Sequence, residues 1–457
     1  MERSILFISN RFEGLEAFVA GGKPAGMPMV YKLLEALVKR GYHVHWLLNG
    51  GGGTSRGTAD LLGGKIRVTS CTPLAPGLIY RLDRTKFRHT KLPQLAFGLA
   101  TLWKGHQVLR REPVSLIYGA GPTGAWVGGL LALRHRLPRI SRLYGSFLHV
   151  QKLRGRAQWL CYHYPAEPLV FKWPGDALIV TNDGTRGDLL AKRFGTDPER
   201  FYFLLNGVDK SDQADRAAVR SAVRARLGIP DGTPLLVTVS RLDDWKRVDR
   251  AIRAASVLKS QRIDCRLAIV GGGHERPRLE ALARSSGAGE TVIFLGELPH
   301  AEAVQILRSA DVFLSLYDYS NLGNPVIEAM SSGQCIVSIA DGSLEGLVAD
   351  GVNGVLVRPD ALEDELPARL AALIRDPEER MRLGSAAKRT ADATFWTSKQ
   401  RIAAELDIIE TLCSGGRLDK ARWMAKWGMP GAETRQTNAA QSAPGSRGPM
   451  VGDAGRA

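Results

Sequence analysis

The sequence predicts an α/β protein built from two doubly wound parallel sheets. Short apolar runs alternate with longer segments of helical periodicity, which is the pattern of successive βα units. This alternation occurs twice, before and after a charged helical stretch at residues 210–231 that ends in Leu227-Gly-Ile-Pro230. A polar connection that contains Gly and Pro indicates a boundary between domains.

The composition is that of a globular protein of two or three domains. The chain has 457 residues, of which 44% are hydrophobic and 24% are charged. No apolar run is long enough to span a bilayer and the amino terminus does not resemble a secretory signal, so we expect a cytoplasmic protein. The five cysteines are scattered without a Cys-x-x-Cys pair. Neither a disulfide framework nor a metal site is predicted, and we expect no bound cofactor.

The net charge of +16 belongs to the amino-terminal part of the chain. Residues 1–180 contain 25 Lys and Arg against 9 Asp and Glu, whereas the remaining residues contain 37 of each kind. This excess indicates an anionic partner, such as an acidic acceptor, anionic lipid or nucleic acid, although a basic face can serve solubility alone. Because no nucleic-acid-binding motif accompanies the charge, we rank lipid or sugar phosphate above nucleic acid. We also expect peripheral association with the inner face of an anionic membrane.

The amino-terminal series begins with a strand at Ile5–Ile8. The polar loop after it contains Gly21 and Gly22, and a helix that ends at Gly41 leads into a second strand at Val44–Leu48. Paired glycines let a backbone approach a ligand closely, but tight turns use the same residues. The later strands of this half are predicted at Lys65–Val68, Leu116–Tyr118, Arg142–Tyr144, Ala177–Val180 and Phe201–Leu205.

One histidine in the amino-terminal half follows a predicted strand. It therefore lies at the carboxyl edge of the predicted sheet, where a ligand is expected. His149 lies just beyond the predicted strand Arg142–Tyr144. A lone histidine is more often a satisfied structural group than a functional one. The position alone therefore predicts little.

A second βα series follows the connection and ends in helices and a tail. Its strands are predicted at Leu235–Val239, Arg266–Val270, Val292–Leu295, Val312–Leu316, Cys335–Ile339 and Val355–Val357. Helical periodicity then continues to about Cys413, with a break at residues 395–397. Residues 414–457 are predicted to be mostly a disordered tail, in which Trp423, Met424 and Trp427 can form a short surface-seeking helix.

The most informative stretch runs from Asp311 to Val357. A buried strand ends in a polar loop, and Pro325 stands where a helix likes to begin. This predicts Glu328 in the first helical turn, with the amides of Gly323 and Asn324 directed into the same crevice. An open α/β sheet holds an anionic ligand at such a place.

Two cations follow the first strand of the second series. Arg241 and Lys246 lie five residues apart on a loop at the carboxyl edge of the predicted sheet. They can straddle a diphosphate and neutralise the charge that grows on a leaving group, because Arg offers a planar fork and Lys a point charge. The alternative is a pair of solvated loop cations.

These segments resemble the carboxyl-terminal domain of glycosyltransferase family 4. The resemblance is carried by Arg241 to Lys246, IVGGGHERPRLEALA, VIFLGELPHAEAVQILRSADVFLSL, NPVIEAMSSGQCIV and GLVADGVNGVLV, and more weakly by Gly21-Gly22 and Asn206-Gly-Val-Asp209. It implies the GT-B fold, in which two Rossmann-like domains face each other across a cleft. The implied parts are an acceptor domain at 1–209, a linker at 210–231, a nucleotide-sugar domain at 232–396, a crossing helix at 397–413 and the tail.

The resemblance also implies roles for the matching residues. Arg241 and Lys246 would bind the donor diphosphate, and Glu328 the ribose hydroxyls. The amides of Gly323 and Asn324 would contact the phosphate. In the first domain, Gly21 and Gly22 would let their loop approach the reacting centre, and His149 would lie near the donor sugar.

The sequence departs from the family pattern at one position. The family usually has two glutamates with seven residues between them, and here Ser320 stands at the first position while Glu328 occupies the second. A serine supplies no negative charge to orient the sugar or stabilise an oxocarbenium-like transition state. Asp318, Asn321 or Asn324 can substitute by hydrogen bonding, the enzyme can bind a different sugar, or it can be inactive.

The resemblance therefore implies a metal-independent, retaining glycosyltransferase of the hexosyltransferase class. It would move a sugar from a UDP- or GDP-sugar to a lipid-linked, polysaccharide or other anionic acceptor, in a setting such as polysaccharide biosynthesis. Two alternatives stay open. One is a nucleotide-sugar epimerase of similar fold, and the other, which Ser320 motivates, is a non-catalytic nucleotide-sugar scaffold or sensor.

Overall fold

The computed structural model describes residues 3–10, 28–49, 58–72, 91–146, 148, 165–209, 216–344 and 346–428. The chain divides into two compact units, residues 1–418 and residues 419–457. The described part of the first unit contains two separate sheets, each in its own Rossmann-like α/β domain.

The first domain is built on a sheet whose described strands run in the order β3-β4-β2-β1-β5-β6-β7-β8. The strands are β1 (Arg3–Asn10), β2 (Tyr42–Asn49), β3 (Thr58–Leu61), β4 (Ile66–Cys71), β5 (Leu116–Ala120), β6 (Arg139–Leu143), β7 (Ala177–Thr181) and β8 (Phe201–Leu204). The edge strand β3 pairs antiparallel with β4, and the other pairs are parallel. Parallel strands need crossover connections, and these are largely helical.

The described helices of the first domain end where the sequence has basic residues or a glycine. They are α1 (Pro28–Lys39), α2 (Lys91–Arg111), α3 (Gly121–His135), α4 (Ala166–Lys172) and α5 (Gly187–Phe194). Gly195, with φ of +68°, caps the carboxyl end of helix α5, and Lys192 and Arg193 occupy the last turn of the helix. A glycine in the left-handed conformation and basic last-turn residues are favourable at a helix carboxyl end.

The second domain is built on a sheet with the strand order β11-β10-β9-β12-β13-β14, in which all described pairs are parallel. Its strands are β9 (Leu235–Val239), β10 (Arg266–Val270), β11 (Val292–Gly296), β12 (Val312–Ser315), β13 (Cys335–Ile339) and β14 (Val355–Val357). The helices are α6 (Arg216–Leu227), α7 (Val248–Ser260), α8 (Arg276–Ser285), α9 (His300–Ser309), α10 (Asn324–Ser331), α11 (Leu362–Arg375) and α12 (Pro377–Thr394). Buried apolar clusters occupy both faces of the sheet, as expected for a doubly wound fold.

A last helix of this unit, α13 (Ser398–Cys413), returns to the first domain. Thr397 and Gln400 form a capping box at its start, which satisfies amides that a helix leaves unpaired. Arg401 is fully buried and donates to the Leu205 carbonyl at 3.1 Å and to Glu405 Oε2 at 2.6 Å. The helix therefore binds the first sheet through buried polar groups.

Glu405 is the centre of this buried network. It accepts a hydrogen bond from the Tyr118 hydroxyl of β5, and its Oε1 lies 3.9 Å from Arg142 Nε of β6. Burial alone would raise the pKa of Glu405, but Arg401 and Arg142 outweigh that effect and the pKa is lowered. The carboxylate is therefore held in its charged form.

Two local sequence predictions for the first sheet were wrong in detail. Strand β6 begins at Arg139, not at Arg142, because both arginines are buried: Arg139 Nη2 donates to the Trp173 carbonyl at 2.6 Å and Arg142 Nη2 to Thr181 Oγ1 at 2.8 Å. The edge strand β3 was missed, since it is only four residues long and contains an exposed aspartate. The boundaries proposed for the domains stay a prediction.

The second unit contains one described helix, α14 (Lys420–Trp427). The Asp419 side chain accepts from the amide of Arg422, which caps the helix start. The sequence pattern at Trp423, Met424 and Trp427 predicted a surface-seeking helix, and a helix is present, but Trp423 is only 5% exposed. The rest of the predicted tail, 429–457, lies outside the described residues.

Candidate functional site at the sheet switch point

The strand order of the second sheet reverses between β9 and β12. The chain first runs outward from β9 to β10 and β11, and then returns to place β12 on the other side of β9. Loops that leave the carboxyl ends of such neighbouring strands diverge and form a crevice where α/β proteins bind ligands. The loop after β9 carries Arg241 and Lys246, and the loop after β12 carries Ser320, Asn321 and Gly323.

Lys246 lies between two aromatic rings in this crevice. Its Nζ is 3.9 Å from the ring centroid of Trp245 and 3.8 Å from that of Tyr317. Burial, with a smaller contribution from Arg241, lowers the pKa of Lys246 to about 7. Cation–π contacts hold the ammonium in place without neutralising it, so the group can still pair with an anion.

Arg241 extends from the same loop with its side chain 55% exposed, and its Nη2 pairs with Asp243 at 2.9 Å. The loop after β9 packs against the glycine run at residues 271–273, which follows β10. A Cβ added at Gly271 would lie 1.8 Å from the Ser240 carbonyl oxygen, and Leu242 donates its amide to the Gly272 carbonyl at 2.7 Å. Only glycine allows the two backbones to approach this closely.

Asp318 ties the loop after β12 to the loop after β9. Its carboxylate accepts from Arg247 at 3.1 Å and from Arg250 at 2.9 Å, and its amide donates to the Trp245 carbonyl at 3.0 Å. These bonds commit the Asp318 side chain to holding the loops together. Asp318 therefore does not take the place of the family glutamate that Ser320 replaces.

Asn321 has a similar structural role. Its side chain is fully buried, its Oδ1 accepts from Ser315 Oγ and from the amide of Tyr317, and its Nδ2 donates to Asp341 at 2.9 Å. In this conformation the Asn321 amide fixes the loop and is not open to a ligand.

Helix α10 begins at the crevice with Gly323 as its N-cap residue. Asn324 is the first helical residue and Pro325 the second, so Glu328 lies in the second turn and not in the first as predicted. The prediction erred by one residue, because it took Pro325 as the first helical position. The Asn324 Oδ1 accepts from Asn206 Nδ2 of the first domain at 2.7 Å.

Glu328 is 18% exposed and its Oε1 lies 2.8 Å from His300 Nε2, at the start of α9. The hydrogen bond to Glu328 raises the pKa of His300, although burial opposes it. Asp209, in the segment that follows β8, pairs with Lys32 of α1 at 2.7 Å. The charges of Lys32 and Asp209 also act on His300, so the pair of Glu328 and His300 lies near groups of the first domain.

Ser320 is the point where the first domain meets the loop after β12. Its hydroxyl lies 3.1 Å from both the backbone oxygen and Oδ2 of Asp183, which follows strand β7. Ser320 has a φ of +62°, a left-handed conformation that is uncommon for residues other than glycine. Arg241, Lys246, Glu328 and Ser320 therefore lie on the two loops and the helix that flank one crevice.

Three of the candidate residues, Gly21, Gly22 and His149, lie outside the described residues. Sequence reasoning missed Asp183, His300 and Tyr317. Asp183 had a usable signal, since it lies two residues beyond the carboxyl end of a buried parallel strand. In the described part of the chain, no group of three or more His, Cys, Asp or Glu side chains is arranged to hold a metal ion.

This arrangement defines the class of protein. Two Rossmann-like domains and a crevice with paired cations at the switch point are the features of a GT-B glycosyltransferase. Two family models match the chain: Glycosyltransferase Family 4 over residues 29–212 and Glycosyl transferases group 1 over residues 219–390. The chain belongs to glycosyltransferase family 4.

Curated relatives match about half of the chain. D-inositol 3-phosphate glycosyltransferase from Nocardia farcinica is 33% identical over 226 residues, which are 48% of this chain and 49% of the relative. The corresponding protein of Xylanimonas cellulosilytica is 31% identical over 51% of this chain and 56% of its own length. The chain thus spans about half the length of these relatives.

Solved structures resemble the fold over most of the chain. Sucrose-phosphate synthase from Thermosynechococcus elongatus has a TM-score of 0.68 at 20% identity, covering 91% of this chain and 100% of that one. HepE of Anabaena, in complex with UDP-glucose, has a TM-score of 0.63 at 20% identity, covering 88% and 99%. At these identities the similarity shows the fold.

Proposed function

We propose that this protein is a retaining glycosyltransferase that uses a UDP- or GDP-sugar. The observation that carries the proposal is the pair Arg241 and Lys246 at the switch point, with Glu328 on the helix that borders the same crevice. A diphosphate between two cations and a ribose against a carboxylate is the chemistry that such a crevice offers. The structure of HepE with UDP-glucose supports a nucleotide-sugar donor.

The proposed chemical step is the one that the family resemblance implies. The bond between the anomeric carbon and the diphosphate oxygen breaks, a bond from the acceptor hydroxyl forms on the same face, and the hydroxyl proton passes to the leaving phosphate. Arg241 and Lys246 stabilise the charge that develops on the leaving diphosphate. Glu328 binds the ribose through Oε2 while Oε1 stays with His300, and the amides of Gly323 and Asn324 contact phosphate.

The acceptor in this proposal is anionic and is held by the first domain. The charge excess of residues 1–180 supports it, and so do the names of relatives that act on inositol phosphate or make sucrose phosphate. A lipid-linked or polysaccharide acceptor fits the same charge, and one structure of similar fold is WaaG, a glycosyltransferase of lipopolysaccharide biosynthesis.

A thermal-shift panel of UDP, GDP, ADP and their sugar conjugates tests donor binding. A ligand at about a hundred times its dissociation constant stabilises by about 2.7 kcal/mol. We expect one nucleotide and its conjugates to raise the melting temperature, and Glu328→Ala to reduce the shift. No shift for any ligand would contradict the proposal. Product analysis then separates the alternatives, because an epimerase converts donor without acceptor and a scaffold binds donor without consuming it.

The affinity for UDP is expected to fall as the pH rises from 7 to 8.5. Lys246, whose pKa is about 7, carries its charge below that pH and loses it above. If only the charged form binds, affinity falls by up to about tenfold per pH unit above 7. Calorimetry in buffers of different ionisation enthalpy should show proton uptake on binding at pH 8.

A matched variant separates Lys246 from the other titrating groups. Lys246→Arg keeps its charge over this whole range and should flatten the profile. His300→Gln should leave the slope between pH 7.5 and 8.5 in place. A flat profile in the wild type would show that Lys246 does not contact the diphosphate.

We also propose that the first domain binds an anionic membrane surface. Helix α2 exposes Leu95, Leu99 and Trp103 at four-residue spacing, with the side chains 52%, 53% and 59% exposed, and Lys104 follows directly. An exposed apolar stripe beside cations is typical of a helix that lies in a lipid interface. No helix in the described ranges has the length and hydropathy required to cross a bilayer.

Flotation with vesicles tests this surface. We expect salt-sensitive binding to vesicles that contain phosphatidylserine, and weaker binding for Trp103→Asp. Met381→Asp is the control, because Met381 is equally exposed on a helix of the second domain. Equal binding of the two variants would remove helix α2 from the proposal.

A further inference from the structure

A carboxylate of the first domain stands in the crevice that the proposed function assigns to the donor. Asp183 lies in the loop after β7, and it reaches the loop after β12 of the second domain through the hydrogen bond of Ser320. The neighbouring residue Gly184 also packs closely against the second domain, since a Cβ added at Gly184 would lie 2.5 Å from the Cβ of Ser343. The loop around Asp183 therefore forms part of the cleft wall opposite the second domain.

The two carboxylate oxygens of Asp183 have different surroundings. Oδ1 accepts from the hydroxyl and the amide of Thr185, at 2.6 and 3.1 Å, and these bonds fix the side chain. Oδ2 accepts from Ser320 Oγ at 3.1 Å. A Cβ added at Gly145, in the loop after β6, would lie 2.2 Å from Oδ2. One oxygen thus anchors the group, while the other lies where loops of both domains meet.

Asp183 is close to the group that we assign to the diphosphate. The loop that bears Ser320 also bears Tyr317, whose ring contacts Lys246 Nζ. The charge of Asp183 acts on Lys246 directly, since it raises the pKa of the lysine against the effect of burial. In a nucleoside diphosphate sugar the sugar is bonded to the terminal phosphate. A sugar whose phosphate contacts Lys246 therefore extends into the neighbourhood of Asp183.

Keeping the Asp183 carboxylate charged in this buried environment costs free energy. Burial raises the pKa of Asp183, although the bonds from Thr185 and Ser320 oppose it. Among the described residues, no cation lies within 4 Å of its oxygens. A partly desolvated carboxylate that is held by hydroxyl groups is suited to accept another hydroxyl in exchange.

We propose that Asp183 is the carboxylate that contacts the donor sugar, and that the Ser320 hydroxyl occupies the position of a sugar hydroxyl while the cleft is empty. Oδ2 exchanges the Ser320 hydroxyl for a ring hydroxyl of the sugar, and the negative charge stabilises the positive charge that develops at the anomeric carbon. The proposal rests on the proposed function. It assigns to Asp183 of the first domain the negative charge that Ser320, at the position of the family glutamate, does not supply.

Binding of UDP and UDP-glucose, with GDP and GDP-mannose in parallel, tests this without requiring turnover. We expect Asp183→Asn to lower the affinity for the sugar conjugate about 10–100-fold, the range of one charged hydrogen bond. Measured at pH 6, below the pKa of Lys246, the affinity for the nucleotide alone should stay within about twofold. Asp188→Asn is the control, because Asp188 lies five residues later and pairs with Arg186 away from Ser320. Equal losses for nucleotide and conjugate, or no loss for either, would overturn the proposal.

Moving the charge across the cleft gives a second test. A left-handed position accepts aspartate better than most residues, so Ser320→Asp can be made without new backbone strain. Because the charge of Asp183 is proposed to stabilise the transition state, Asp183→Asn should also lower kcat. The double variant Asp183→Asn with Ser320→Asp should recover at least about tenfold of that loss. No recovery together with an unchanged conjugate affinity in Asp183→Asn contradicts the assignment. A wild type that binds the conjugate but transfers nothing contradicts the proposed function instead, and leaves the binding test of Asp183 valid.

Discussion

Replacing Arg241 with alanine is expected to lower kcat about 10²–10³-fold, which is the loss seen when one charge-stabilising donor is removed from an active site. The side chain extends from the loop after β9 beside Lys246, where the leaving diphosphate is proposed to lie. Its contribution grows as the bond to the sugar breaks, so kcat should fall more than the KM for donor rises. The measurement is initial-rate kinetics at varied donor concentration with saturating acceptor.

Arg253 offers a matched control for this variant. It is also 55% exposed and also pairs with an aspartate, at 3.5 Å, but it lies on helix α7 away from the loop. Arg253→Ala should keep kcat within about twofold, because an exposed ion pair contributes little. Near-wild-type turnover in Arg241→Ala would exclude leaving-group stabilisation by this residue.

The largest effect on stability is expected from Glu405→Ala. The change removes the carboxylate between Arg401 and Arg142, whose side chains are 0% and 3% exposed, and also the acceptor of the Tyr118 hydroxyl. Breaking a buried ion pair from one side typically costs about 3–5 kcal/mol, since the remaining charge stays buried without compensation. The shift of the urea unfolding midpoint, followed by circular dichroism, measures it.

The control lies on the same helix. Glu410 pairs with Arg40, which follows α1 of the first domain, but both side chains are substantially exposed, at 33% and 49%. Glu410→Ala should therefore shift the midpoint by the equivalent of about 1 kcal/mol or less. Equal shifts for the two variants would mean that the buried network does not stabilise the attachment of α13.

Much of the second sheet could be predicted from the sequence, because its strands are buried on both faces and read as continuous apolar runs. The predicted bounds of β9, β10, β13 and β14 agree with the structure residue for residue. Strand β6 was placed three residues late, since an arginine in a sequence reads as exposed. The groups that make the buried Arg139 tolerable, the Trp173 carbonyl and the Asp176 carboxylate, lie 34 and 37 residues away in the chain.

Only the part of the candidate site that the second domain provides could be predicted from the sequence. Arg241, Lys246 and Glu328 follow strands of a single sheet, so the strand order alone brings their elements to one crevice. The meeting of Asp183 with Ser320 joins residues 137 positions apart in two different domains. No periodicity or local spacing reports such a pair, because it depends on how the domains face each other.

The return of α13 to the first sheet has a consequence for protein synthesis. A ribosome releases the chain from its amino end, so strands β5 and β6 emerge long before residues 401–405, which complete their buried polar contacts. Until then the Arg142 guanidinium lacks its Glu405 carboxylate, and the first domain must wait for the second to be translated. We therefore expect the nascent first domain to remain sensitive to proteases until α13 has left the ribosomal exit tunnel.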